Sequence, residues 1–489
     1  MKTKNLLYIL PLAALVACEP EIDEIEFNGG SADFSRTVAV GNSLTAGYQS
    51  GALDLNGQLN SLPKMVADQL QRVGGGEFKQ PLLTGEKATK GVGIDRELLA
   101  LGQVQPRFVL APTTDCLGAT SLGPVRAGAP YSAIPFLTGM ESVAAQGPYN
   151  NYAVPGAKLV DLKVPFANPF YARLATSQTS TLLSLAASVQ ASFFMLWIGN
   201  NDVLNFATEG GDESPTGATI TPDGAFDTDY KAAVDALIAS GADQGVVANI
   251  PDITTIPYFT TVPIGTNTIT VEQATQLNGP MAYGKYNAGL DQAAADTSNP
   301  ITKGFTQAMA DARKIRFTAG QINTFVVMDQ SLTDLTPVNP GLTSMRQARP
   351  GELMTLTLSG DSIRCGPMWG TANPIPGRFH LTLDEISRIN TAVTSYNQTI
   401  KSVATSKNLA FVDANARLKE LATIGITESG INFSSTLVTG GAFSLDGVHP
   451  STRGYAIIAN DFIKAINSKY GSNVPKVDVA SFSTIEVGK

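Results

Sequence analysis

The sequence predicts an α/β fold: three layers, with an open parallel sheet flanked by helices. Two observations carry this. Short apolar runs alternate with stretches whose apolar residues recur at helical spacing. Gly- and Asn-containing polar blocks follow the apolar runs, as loops follow strands at a sheet edge. Residues 37–40, β-branched and ending at Gly41, read as a buried strand. Residues 182–189 read as a helix, and 193–198 as the strand after it. Tyr230, Ala233, Val234, Leu237 and Ile238 share one helix face, with Gly241 as the stop and 245–250 as the next strand. Thr382 and Glu385 form a capping-box pattern. Ile386, Ile389, Val393, Tyr396, Ile400 and Val403 then line one face, and 409–412 follow as a strand. Strands alternating with amphipathic helices imply a parallel sheet covered on both sides.

Two stretches break the alternation. Residues 74–148 are rich in Gly, Pro and Ala, and residues 260–378 hold strand-like runs at 324–328 and 353–358. Both are read as insertions into one domain of residues 36–475, followed by a tail of 476–489. No internal repeat is visible.

The chain has 489 residues, enough for a large core. Charged residues make up 16%, and the net charge is −8 with no Lys/Arg cluster, which argues against nucleic acid as a partner. Lys2 and Lys4 precede an apolar run at 6–16, too short to span a bilayer. Leu15-Val16-Ala17-Cys18 resembles the lipobox of bacterial lipoproteins. That resemblance implies a signal peptide of residues 1–18, lipidation at Cys18, and a membrane partner reached through the lipid. It places the protein in a Gram-negative envelope, at the outer membrane. The acidic segment at 19–35 reads as a solvated tether; acidic residues after a lipidated Cys also resemble a surface-export signal. Cys116 and Cys365 remain, either as a disulfide pair in an oxidising compartment or as two separate buried thiols.

Four short segments carry candidate chemistry. Gly41-Asn42-Ser43-Leu44 sets a serine just after a strand. It is not a Gly-x-Ser-x-Gly elbow, because Thr45 stands two positions after Ser43. In Asn151-Tyr152-Ala153-Val154-Pro155-Gly156-Ala157, the N–H of Gly156 is open to close approach; alone, the segment would be a plain Pro-Gly turn. Gly199-Asn200-Asn201-Asp202 ends an apolar strand, either as a loop start or as an oxyanion donor through an Asn amide. Asp446-Gly447-Val448-His449-Pro450 puts a carboxylate one turn from an imidazole. The other histidine, His380, has no carboxylate close in sequence before Asp384 and reads as structural or surface.

Together and in this order, the four segments resemble the SGNH/GDSL hydrolase family. The runs 196–202 and 443–450, and Arg453-Gly454-Tyr455 leading into a last helix, are similar to its lipoprotein branch. The resemblance spans about residues 37–470. It implies a flavodoxin-like SGNH hydrolase fold and a serine esterase needing no cofactor and no metal. By the same resemblance, Ser43 is the nucleophile, His449 the base and Asp446 its partner, with an oxyanion hole from Ser43, Gly156 and Asn201. The partner is an ester: a lipid, a short-chain ester or an acetylated glycan. One departure stands out. The family's acid before the serine is Asn42 here, which keeps an acceptor oxygen but not the charge. Alternatives are a polysaccharide deacetylase on the same fold and a non-catalytic surface lipoprotein that binds glycan or lipid. The Gly-, Pro-, Ser- and Thr-rich insertions suggest short-chain esters over long-chain triglycerides.

Overall fold

The computed structural model describes residues 26–132, 134–137, 141–212, 218–265 and 268–488. Cys18 and the signal segment lie outside the described residues. The central sheet has four parallel strands: β1 (Thr37–Gly41), β2 (Phe193–Trp197), β3 (Gln244–Ala248) and β4 (Ala410–Val412), in that spatial order. Gly41 lies opposite Trp197, Met195 opposite Val246, and Ala410 opposite Val246 on the far side. Every residue of β1 and β2 is buried, as expected of a parallel sheet covered on both faces.

Asn151 forms a parallel bridge to Ala39 on the free edge of β1. Counting it as a rudimentary second strand, the order is 2-1-3-4-5, the flavodoxin-like order. The switch point lies between β1 and β2. Ligands of open α/β sheets bind at the carboxyl ends of the strands at such a point.

Helices α1 (Ser43–Ala46), α2 (Leu62–Gln71), α3 (Leu182–Ser188), α4 (Asn201–Thr208), α5 (Asp223–Ala239), α6 (Leu383–Ser406), α7 (Ala414–Thr423) and α8 (Thr452–Tyr470) position the site. α2 packs with α8 on one face; α3, α5 and α6 pack on the other. Between α5 and α6, Phe226 stacks on Tyr396 with ring centroids 3.9 Å apart. α6 begins with the full capping box: Thr382 Oγ1 accepts the Glu385 N–H, and Glu385 accepts the Thr382 N–H at 2.7 Å.

Within 74–148, strands Phe108–Thr114 and Thr120–Arg126 form an antiparallel hairpin. The C-terminal tail docks on it, with the Leu110 N–H bonded to the Glu486 carbonyl and Val487 bridged to Leu110. Cys116, at the hairpin turn, is disulfide-bonded to Cys365 in the second insertion. Residues 260–378 hold two apolar clusters of their own, one around Leu290, Ile315 and Val326 and one around Val327, Met354 and Ile375.

Three expectations need correcting. The strand expected at 353–358 is only Leu353–Met354. Its partner strand is the antiparallel His380–Leu381, so residues beyond Met354 face Phe379 and Arg378, which turn away in the 3-10 turn Gly377–Phe379 and end the ladder. The tether assigned to 19–35 packs on the domain at its described end: Phe34 is buried, and the Ser31 N–H donates to the Tyr470 carbonyl at 2.8 Å. His380 is not at the surface. It is fully buried with its Nε2 2.9 Å from Glu352, a carboxylate brought from 28 residues upstream by the Leu353–Met354 pairing.

Candidate active site

β1 delivers the serine. After Gly41 the chain turns at once into α1, whose N-cap is Asn42. The Asn42 side-chain oxygen accepts the Leu44 N–H at 3.0 Å. The capping role asks only for an acceptor oxygen, so an amide serves where a carboxylate stands in the family pattern. The cost of the amide is also visible: Asn42 is fully buried, and its Nδ2 has no hydrogen-bond partner among the described residues. Ser43 is the first residue of α1 and is itself buried.

The loop before α8 delivers the imidazole. Ser444 and His449 are tied by a backbone bond of 2.8 Å, which closes the loop around Asp446. Gly447 has φ +71, and a Cβ there would come within 3.0 Å of the Tyr258 backbone, so the turn requires glycine. Asp446 Oδ1 accepts the N–H groups of Val448 (2.9 Å) and His449 (2.8 Å), and the Ser444 hydroxyl (3.2 Å). Asp446 Oδ2 lies 2.9 Å from His449 Nδ1 and accepts the Gly51 N–H at 2.7 Å. Burial would raise the carboxyl's pKa, but the His449 charge and these donors hold it down at about 2. Asp446 is therefore an anion at neutral pH. It fixes the tautomer with the proton on Nδ1 and leaves Nε2 as the acceptor. The Tyr48 ring lies against the imidazole, with centroids 4.7 Å apart.

Gly156 and Asn201 meet from two further elements. Gly156 is exposed with φ +77. Asn201, the first residue of α4, donates from Nδ2 to the Ala157 carbonyl at 2.9 Å, which leaves its second amide hydrogen to spare. Asp202 holds the same loop: its carboxylate accepts the Leu159 N–H (2.9 Å) and the Thr221 hydroxyl (2.8 Å). Burial pushes the Asp202 carboxyl up to about 6. Asn168 Nδ2 bonds the Pro155 carbonyl at 2.9 Å on the other side of Gly156.

The structure thus bonds Asp446 to His449 and joins Asn201 to the Gly156 loop. Ser43 links to both groups through its neighbours. Its carbonyl accepts the Tyr48 N–H at 3.0 Å, and the Gly41 carbonyl accepts the Val154 N–H at 3.2 Å. Among the described residues, no direct hydrogen bond joins the Ser43 hydroxyl to the imidazole. Sequence reasoning missed Gly51, Tyr48 and Asp202. Gly51, in Ser50-Gly51, carried a turn signal, but nothing local pointed it at Asp446. Among the described residues, no cluster of His, Cys, Asp or Glu is placed to hold a metal ion, and no helix is long and apolar enough to cross a membrane.

A serine, an Asp-bonded imidazole and two candidate oxyanion donors at the carboxyl edge of a parallel sheet form the layout of a serine hydrolase. Residues 37–462 match the family described as GDSL-like Lipase/Acylhydrolase, from the first residue of β1 into α8, and the chain belongs to that family. Its activity is therefore hydrolysis of esters in general terms. No curated protein matches the chain.

Proposed function

We propose that the protein is a serine esterase that cleaves short-chain carboxylic esters through an acyl-enzyme. The observation carrying this reading is the half-buried Asp446–His449 pair, whose imidazole lies against Tyr48, the residue whose N–H bonds the Ser43 carbonyl. The Ser43 hydroxyl attacks the ester carbonyl, and His449 Nε2 takes its proton. Asp446 stabilises the imidazolium that forms. The oxyanion is met by the N–H groups of Ser43 and Gly156 and the spare amide hydrogen of Asn201. His449 then protonates the leaving alkoxide, and water attacks the acyl-serine with His449 again as base. In such sites the serine–imidazole hydrogen bond closes as substrate binds.

The preference for short chains rests on the two insertions, whose Gly-, Pro-, Ser- and Thr-rich sequence offers no extended apolar helix suited to lie on a lipid interface. By the lipobox resemblance, the enzyme is exported and held at the outer membrane through Cys18.

Two measurements test the reading. A fluorophosphonate should label the wild type and not Ser43→Ala, and turnover of 4-nitrophenyl esters should fall by about a millionfold in that variant. Across acetate to palmitate, catalytic efficiency should peak at short chains. Wild-type turnover in Ser43→Ala removes the nucleophile assignment. A steady rise toward palmitate removes the short-chain assignment, and turnover confined to acetyl groups on glycans replaces it with a deacetylase.

A further inference from the structure

Asp446 takes its fifth donor from outside its own loop, and that donor leads into the first insertion. The peptide unit between Ser50 and Gly51 is held at both ends. Its N–H donates to Asp446 Oδ2 at 2.7 Å, on the oxygen that pairs with His449 Nδ1. Its carbonyl accepts the Phe108 N–H at 2.7 Å, from the first residue of the hairpin. The Ser50 N–H donates to the Ser444 hydroxyl at 2.8 Å, which itself donates to Asp446 Oδ1 at 3.2 Å. Ser50 has φ +50 and Gly51 φ +71. Ser50 therefore sits in the left-handed region that a non-glycine residue keeps only under constraint.

Ser444 and Phe108 hold Ser50 itself, and Arg126, the last residue of the hairpin, secures the next residue of the turn. Its guanidinium lies 3.7 Å from the Phe108 ring centroid and donates from Nη1 to the carbonyls of Pro106 (2.7 Å) and Gly51 (3.3 Å). It thus grips the turn residue and the strand that the turn is bonded to. A Cβ on Gly51 would come within 3.0 Å of both the guanidinium and the Phe108 ring. Hydrogen bonds in series reinforce one another in a low dielectric, so fixing one end of the 50–51 peptide strengthens its hold on the carboxylate at the other.

We infer that Arg126 is a positioning residue for the triad. Through the Ser50–Gly51 turn, it fixes the donor that orients Asp446 against His449. The first insertion thereby forms part of the catalytic support. This rests on the esterase reading above. The charged and titratable groups around the pair are Arg126 from the hairpin, Tyr48 after α1, and Tyr455 from α8, with Asp95 facing Arg126. Both tyrosines are raised by burial and stay neutral at working pH, whereas Arg126 is a cation that acts on Asp446.

The sign follows. Removing Arg126 takes away a positive charge that acts on Asp446 and loosens a donor to that carboxylate. Both changes favour the imidazolium, so the base deprotonates at higher pH.

The test uses the full chain with 4-nitrophenyl acetate, with rates normalised to the fraction labelled by a fluorophosphonate. Arg126→Met should lower kcat about tenfold with KM within twofold of wild type, and the acid limb of kcat/KM should move up by about half a pH unit. Arg126→Gln keeps a donor for one carbonyl and should move the limb by less; it is the variant to read if the methionine form does not fold. A purely structural role would lower Tm and the labelled fraction while leaving the limb of the labelled enzyme in place. An unmoved limb in the folded variants overturns the inference. If the wild type itself neither hydrolyses ester nor takes the label, the esterase reading fails instead.

Discussion

At the scale of single residues, the oxyanion contact gives the sharpest expectation. Asn201 is anchored by one amide hydrogen to the Ala157 carbonyl. The other can meet charge that develops only in the transition state. Asn201→Ala should therefore lower kcat by about a hundredfold or more, with little change in KM. Steady-state kinetics on one short ester decides this: an unchanged kcat removes the residue from the site. The candidate residues could be picked out because each stands in a local block, Asp446 and His449 being three apart on a turn that needs glycine. Their supports were not legible. Gly51 and Asp446 are 395 residues apart, and Glu352 reaches His380 only because two short strands pair. Local patterns carry no record of such pairings.

At the scale of elements, α6 shows how much a pattern can state. Its start was readable from Thr382 and Glu385. Five of the six apolar residues read onto its face are buried, with Ile386 partly so. Helical period and capping are both written within a few residues, so they survive without knowledge of the fold. Thr382→Ala removes the hydroxyl that accepts the Glu385 N–H and donates to Glu385 Oε2 at 2.8 Å. Stability should fall by about 1 kcal/mol, measured as a lower urea midpoint at unchanged slope. An unchanged midpoint would mean that α6 is held by packing alone. The run at 353–358 is the counter-example, since strand length depends on a partner that the run itself does not encode.

At the scale of the whole molecule, buried carboxyls set the pH dependence of stability. For Asp446 and Glu352, burial is outweighed by His449 and its donors in one case, and by His380 and Arg346 in the other; both sit at about 2. Each is depressed below its unfolded value, so its stabilisation is present above about pH 4 and is lost as pH falls toward 2. Asp54 and Asp202 are pushed up to about 6 by burial. Below about pH 4 these two cost nothing. Between pH 4 and 6 the folded state holds protons that the unfolded state has released, so stability falls as pH rises. Denaturant unfolding across pH 2 to 7 should show a rise to about pH 4 and then a decline. Asp202→Asn should flatten the decline; a decline that it leaves unchanged would assign the loss to other groups.

The sheet also sets which way the molecule faces. Residues 28–34 lie against the end of α8, at the amino edge of the strands, whereas Ser43 and His449 stand at the carboxyl edge. The five residues of β1 alone separate the two edges by roughly 17 Å. The described chain therefore enters the fold at one edge of the sheet and presents the candidate serine and imidazole at the other, so the point of entry and the point of reaction are kept apart by the depth of the sheet.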